Sequence, residues 1–179
     1  SKPLVFNFKK NLKTLLVFGG SQGSRFLNEK ISNLIERNKL SFLNIIWIVC
    51  KYNYQSFKHL ENNSLIIYDY CNQMSSIYMN VDIVVSRSGA MTISELIKFQ
   101  LPSILVPFKF SSESHQLFNA KFLQNSLCSN LIEEDNFSEK SFLVTLKNMI
   151  ENKRILDSMK SNFNNISVNR PAPHPTSKT

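Results

Sequence analysis

Glycine is the residue this chain has least to spare: it holds 4, and they are Gly19, Gly20, Gly23 and Gly89. Each follows a short apolar run and precedes a helical pattern, so none is spent on an ordinary surface loop. Glycine kept for strand-to-helix turns points to places where backbone must approach a ligand. Cysteine is also scarce, with Cys50, Cys71 and Cys128 odd in number and widely spaced. That excludes a disulfide framework and a zinc knuckle, and fits a reducing compartment. No apolar run reaches the roughly 18 residues of a membrane span, and no signal-peptide pattern opens the chain. Ser1 is not an initiator Met, which reads as a piece of something longer. There is no G-x-G-x-x-G, no Walker A loop and no Asp-x-Asp pair, so dinucleotide, P-loop and carboxylate-metal chemistry all lack their usual signatures.

What is present is a folded domain: 42% of 179 residues are hydrophobic, enough for one core. The formal net charge of +8 comes mostly from lysine in a chain also rich in Asn, Ile and Phe. Without an aromatic-interleaved basic stripe, this charge implies no nucleic-acid partner, and favours an anionic substrate or membrane surface.

Apolar runs at 14–18, 45–49, 65–68, 81–85, 103–106 and 129–132 read as strands, with helical periodicity between them. Leu27, Ile31, Leu34 and Ile35 form one helical stripe, and Phe142, Leu146, Met149 and Ile150 another. Ile155, Met159, Phe163 and Ile166 continue the pattern as core packing. The alternation predicts an α/β, Rossmann-like parallel sheet of about six strands with helices on both faces. Residues 1–13 read as a linker remnant, 14–166 as the domain, and 167–179, with Pro171, Pro173 and Pro175, as a mobile tail.

Chemistry concentrates at Ser86-Arg87-Ser88-Gly89-Ala90-Met91-Thr92-Ile93-Ser94-Glu95. A strand, a glycine turn and a helix start would leave the amides of Ala90, Met91 and Thr92 as unpaired donors for a phosphate. Glu95, one turn further on, would accept hydrogen bonds from ribose hydroxyls. The same segment also suits a plain turn in which Ser88 caps the helix, and sequence alone leaves both readings open. A nicotinamide reader would want an acid at the end of the second strand, where Val49-Cys50-Lys51 stands.

Gly19-Gly20-Ser21-Gln22-Gly23-Ser24-Arg25 with Leu27-Asn28, the Asp82 to Glu95 stretch, Leu101-Pro102-Ser103-Ile104-Leu105-Val106-Pro107, and His115-Gln116-x-x-Asn119-Ala120 together resemble the MurG family. Its members are peptidoglycan N-acetylglucosaminyltransferases that make lipid II from lipid I. The resemblance covers the C-terminal, donor-binding half of a two-domain GT-B enzyme, and implies UDP-N-acetylglucosamine as donor, with inversion. It implies Ser21 and Gln22 at the diphosphate and sugar, and Ala90, Met91 and Thr92 at the phosphates, with Ile93 and Ser94 in the same turn. It further implies Glu95 at the ribose, Gln116 at the sugar hydroxyls and main-chain reading of uracil at Cys71. Arg87 either aids the departing UDP or braces its loop. No metal or cofactor is implied, and no catalytic base is identified in this half. Lipid I would bind through an N-terminal domain absent here, at the cytoplasmic, anionic face of the bacterial inner membrane. A one-domain subunit working with a second chain, or a non-catalytic nucleotide-binding module, are the alternatives. Phe108-Lys109-Phe110-Ser111-Ser112-Glu113-Ser114 departs from the family pattern ahead of the His-Gln pair, as does the proline-rich tail.

Overall fold

The computed structural model describes residues 6–20, 22–110 and 115–166. The strand β1 (Lys13–Phe18) shows how the sequence builds two layers at once. Leu15 and Val17 enter one core and Leu16 and Phe18 the other, as pleating requires of successive side chains. The strands β2 (Leu43–Ile48), β3 (Leu65–Tyr68), β4 (Ile83–Ser86), β5 (Ser103–Leu105) and β6 (Ser129–Leu131) complete one sheet in the order β3-β2-β1-β4-β5-β6. Every pairing is parallel. The sheet is the six-stranded one expected. β4 starts at Ile83, two residues later than the apolar run, because the Asp82 carboxylate accepts from Thr14 N and Lys13 Nζ, each at 2.9 Å.

Helices cover both faces. On one, α1 (Arg25–Glu36) buries Leu27 and Ile31. The short α2 (Tyr54–Phe57) follows β2 on the same side, where Phe57 packs on Trp47. On the other, α3 (Met74–Tyr78), α4 (Ala90–Phe99) and α5 (His115–Asn125) bury Ile77, Tyr78, Leu96 and Leu123. The helices α6 (Glu139–Glu151) and α7 (Lys153–Asn162) return to the first face with Phe142, Leu146 and Leu156. Burying an aliphatic side chain of this kind contributes about 1.5–3 kcal/mol, so the sheet's hold on its helices rests on these stripes.

One expectation is corrected. Ile155 is 39% exposed and Leu156 takes its place in the core. Asn152, with φ −105° and ψ 93°, ends α6 and caps α7 by accepting from Arg154 N, which resets the helical phase. Within the stretch 1–13 expected as a linker remnant, residues 6–12 rest on the domain: Asn44 Nδ2 donates to the carbonyls of Lys9 (2.9 Å) and Leu12 (3.2 Å). The tail expected at 167–179 lies outside the described residues.

Candidate functional site

The strand order reverses between β1 and β4, and an open parallel sheet offers its ligand crevice at the carboxyl ends flanking such a reversal. One row of residues marks that edge: Tyr68, Ile48, Phe18, Ser86, Leu105 and Leu131 are register partners across all six strands. The loops that follow them therefore start level. From β3 to β4 is three strand spacings, about 14 Å, comparable to an extended nucleoside diphosphate.

The loop after β1 is shaped by its glycines. Gly20 and Gly23 have φ of +86° and +76°, a region that L side chains disfavour. A Cβ on Gly19 would stand 2.2 Å from Ser24 N, and one on Gly23 would stand 2.7 Å from Cys50 Cβ. These two glycines serve close packing of the chain on itself, which corrects the expectation that all four face a ligand. Ser24 then caps α1, its Oγ accepting from Leu27 N at 3.2 Å. Asn28 ties the start of α1 to β2, donating to Val49 O (2.9 Å) and accepting from Trp47 Nε1 (3.2 Å). Gln22 is exposed, and Ser21 lies outside the described residues.

The loop after β4 does not use Ser88 as a cap. Gly89, not Ser88, is the N-cap of α4, and no side chain caps it. Ser88 Oγ instead donates to Gln116 O at 2.6 Å. Among the described residues, the amides of Ala90, Met91 and Thr92 have no acceptor, while that of Ile93 donates to Gly89 O at 3.0 Å. Gly89 has φ −63°, and a Cβ there would meet nothing within 4 Å. Its lack of a side chain answers to neither strain nor packing, and leaves the amides open from outside. Uncapped amides at the positive end of a helix dipole are chemically suited to hold an anion. Met91 and Ser94 are exposed, whereas Ile93 is 7% exposed and packs into the second core.

Arg87 is turned inward. Its Nη1 donates to Val106 O (3.0 Å) and Pro107 O (3.1 Å), and Nη2 pairs with Glu134 Oε1 at 2.5 Å. The rings of Phe26 and Phe108 flank the guanidinium at 5.7 and 5.4 Å. Burial pulls its pKa below the usual arginine range, and Glu134 opposes that shift. These contacts make Arg87 a brace joining the ends of β4 and β5, α1 and the turn Glu134–Asn136. Gln116 and Asn119 stand three residues apart on α5, facing this loop: Gln116 Oε1 accepts from Phe108 N (3.0 Å), and Asn119 Nδ2 donates to Ser88 O (3.0 Å). Glu95, half-buried on α4, accepts from Tyr78 Oη at 2.8 Å. Cys71 lies beyond β3, half-buried, its Sγ accepting from Gln73 N at 3.3 Å.

Residues 87–95, Gln116 and the α1 turn thus gather at one edge, with Cys71 three strands along. Asn119, Glu134 and Tyr78 escaped the sequence reading. Asn119 stood within a quoted motif, but nothing local marked the other two. Among the described residues, no group of three or more His, Cys, Asp or Glu is placed to hold a metal. A cleft of about 80 Å³ lies beside Phe108, Lys109, Leu117 and Glu134. A broader depression of about 490 Å³, lined by Asn148, Asn152 and Arg154, sits where α6 meets α7.

Comparison with known proteins follows the same lines. The model of the glycosyltransferase family 28 C-terminal domain matches residues 14–170. A Prochlorococcus marinus UDP-N-acetylglucosamine--N-acetylmuramyl-(pentapeptide) pyrophosphoryl-undecaprenol N-acetylglucosamine transferase is 37% identical over 165 residues, 86% of this chain and 44% of that protein. The Aquifex aeolicus protein of the same name is 32% identical over 159 residues, 88% of this chain and 46% of its own length. The chain therefore spans about half the length of the curated relatives it matches. Among solved structures, Acinetobacter baumannii MurG superposes with a TM-score of 0.74 at 22% identity, covering 87% of this chain and 46% of that one. The glycosyltransferase VinC, solved in complex with DTDP, gives 0.64 at 12% identity over 87% of this chain and 38% of that one. Both structural likenesses bear on the fold, which is that of one half of a GT-B glycosyltransferase. By its sequence this chain belongs to glycosyltransferase family 28, as the C-terminal domain of that family.

Proposed function

We propose that this chain is the donor half of an inverting N-acetylglucosaminyltransferase that converts lipid I to lipid II. The observation that carries the reading is the uncapped start of α4 at the sheet's reversal, with three amides unengaged among the described residues. The names of the relatives, at 32–37% identity, support the substrate pair.

The diphosphate of UDP-N-acetylglucosamine sits on the amides of Ala90, Met91 and Thr92, with Ile93 and Ser94 completing the turn. Ser21 and Gln22 approach from the opposite loop. Glu95 takes the ribose hydroxyls, Gln116 the sugar, and the main chain at Cys71 the uracil. Arg87 holds the turn in place. As the glycosidic bond breaks, negative charge grows on the departing UDP, and helix-terminal amides stabilise it where it develops. The acceptor site and the base belong to the portion of the relatives beyond this match. The net charge of +8 draws the protein to the anionic cytoplasmic face of the membrane. Among the described residues, no helix is long and apolar enough to cross it.

Calorimetry with UDP-N-acetylglucosamine, UDP-glucose and NADH tests this reading. Saturable binding of UDP-N-acetylglucosamine in preference to UDP-glucose, with no heat from NADH, is expected. Binding of NADH, or of none of the three, would overturn it.

A further inference from the structure

We propose that Tyr78 is a positioning residue for nucleotide recognition, fixing the Glu95 carboxylate so that it selects a ligand with a free vicinal diol. The inference rests on the reading above that Glu95 faces the ribose.

Glu95 follows Met91 by one helical turn, on the face of α4 that Met91 leaves 80% exposed. Left to itself, a half-buried glutamate samples several rotamers, and ordering it costs free energy at the moment of binding. Here Tyr78 Oη donates to Glu95 Oε2 at 2.8 Å, and among the described residues it is the carboxylate's one hydrogen-bond partner. The donor itself is fixed. Tyr78 is 2% exposed, with Phe18 edge-on at 6.3 Å between ring centroids and Phe99 tilted at 5.2 Å. Phe18 is the last residue of β1, directly before the Gly19 turn, so the tyrosine ties Glu95 to the loop across the crevice. Burial, and then its bond to Glu95, raises the Tyr78 pKa far above the usual phenol range, so the hydroxyl remains a donor at any working pH.

The chemistry of this arrangement is selective. An ionised carboxylate has about four acceptor positions and no donor. Tyr78 uses one on Oε2, leaving Oε1 and the second position on Oε2, a spacing that matches two adjacent hydroxyls. A diol donates to both. A 2′-phosphate brings only acceptors and like charge, and is repelled.

The experiment measures affinities of UDP and 2′,3′-dideoxy-UDP for the wild-type chain, Tyr78→Phe, Glu95→Gln and the double variant. Phenylalanine keeps the ring packing, and melting curves check that the fold is retained. Tyr78→Phe is expected to weaken UDP about fivefold and leave dideoxy-UDP within about twofold. The double variant is expected to bind UDP no more than about twofold more weakly than Glu95→Gln alone, since both changes act through one group. Equal weakening of both ligands by Tyr78→Phe, no weakening of either, or additive losses in the double variant would overturn the role of Tyr78. Equal weakening of both ligands by Glu95→Gln would instead overturn the ribose assignment itself, and the two failures are therefore distinct.

Discussion

Ser88 Oγ lies 2.6 Å from the carbonyl oxygen of Gln116, and with the bond from Asn119 Nδ2 to Ser88 O it fastens α5 to the turn that opens α4. Removing the hydroxyl should loosen the side of the site given to the sugar while sparing the amides. Ser88→Ala is expected to cost about 1 kcal/mol in urea unfolding. Its affinity for UDP-N-acetylglucosamine should fall more than its affinity for UDP, measured by calorimetry on the same preparation.

Alanine at two of the glycines should act in opposite ways. Gly23→Ala forces a side chain onto φ +76° and into Cys50, so a loss of roughly 1–3 kcal/mol in stability is expected. Gly89→Ala meets no atom within 4 Å and keeps an ordinary φ of −63°. Its melting temperature should change little, because the gain from restricting the unfolded chain is offset by alanine's poorer fit as an N-cap. Its methyl group enters the space assigned to the phosphates, and UDP affinity should drop by about tenfold or more, or about 1.4 kcal/mol. Unchanged UDP binding by Gly89→Ala would argue that the ligand lies elsewhere.

Arg87 and Glu134 form a largely buried ion pair, with side chains 8% and 12% exposed. Arg87→Met leaves the carboxylate without its partner and is expected to destabilise the fold by about 3–5 kcal/mol. Adding Glu134→Gln should recover part of that loss, because the two changes share one interaction. Thermal unfolding of the single and double variants checks this. A stable Arg87→Met variant with only weakened UDP binding would assign Arg87 to the ligand instead.

Cys128 is fully buried, and desolvation pushes its thiol up from 9.0 to about 11. The unfolded thiol therefore ionises first, and the folded state binds more protons between those values. The sign is then fixed: this contribution to stability is complete below pH 9 and is lost as pH rises through about 11. Cys128→Ala should flatten that part of the melting-temperature profile, and in the wild-type fold Cys128 should resist thiol reagents at pH 8 while half-buried Cys50 and Cys71 react.

Those features that depend on local pattern were legible in the sequence. The continuous run Ile45-Ile46-Trp47-Ile48 read as a strand buried on both faces, and the glycine turns after Phe18 and Ser86 marked the carboxyl edge of the sheet at its reversal. What was not legible depended on distant partners. Ser88 looked like a cap because Gln116, which takes its hydroxyl, is 28 residues away. Arg87 stayed ambiguous because no local signal pairs it with Glu134. The anchorage of residues 6–12 left no trace in their own sequence, because Asn44, which grips them, belongs to β2.

Backbone amide shifts on titrating the ¹⁵N-labelled chain with UDP would locate the ligand most directly. The amides of Gly89, Ala90, Met91 and Thr92 should shift together, saturably, and with the same midpoint as the calorimetric binding curve. Saturable shifts confined to residues 148–155 around the depression between α6 and α7, with those four amides unmoved, would contradict a donor site at the start of α4.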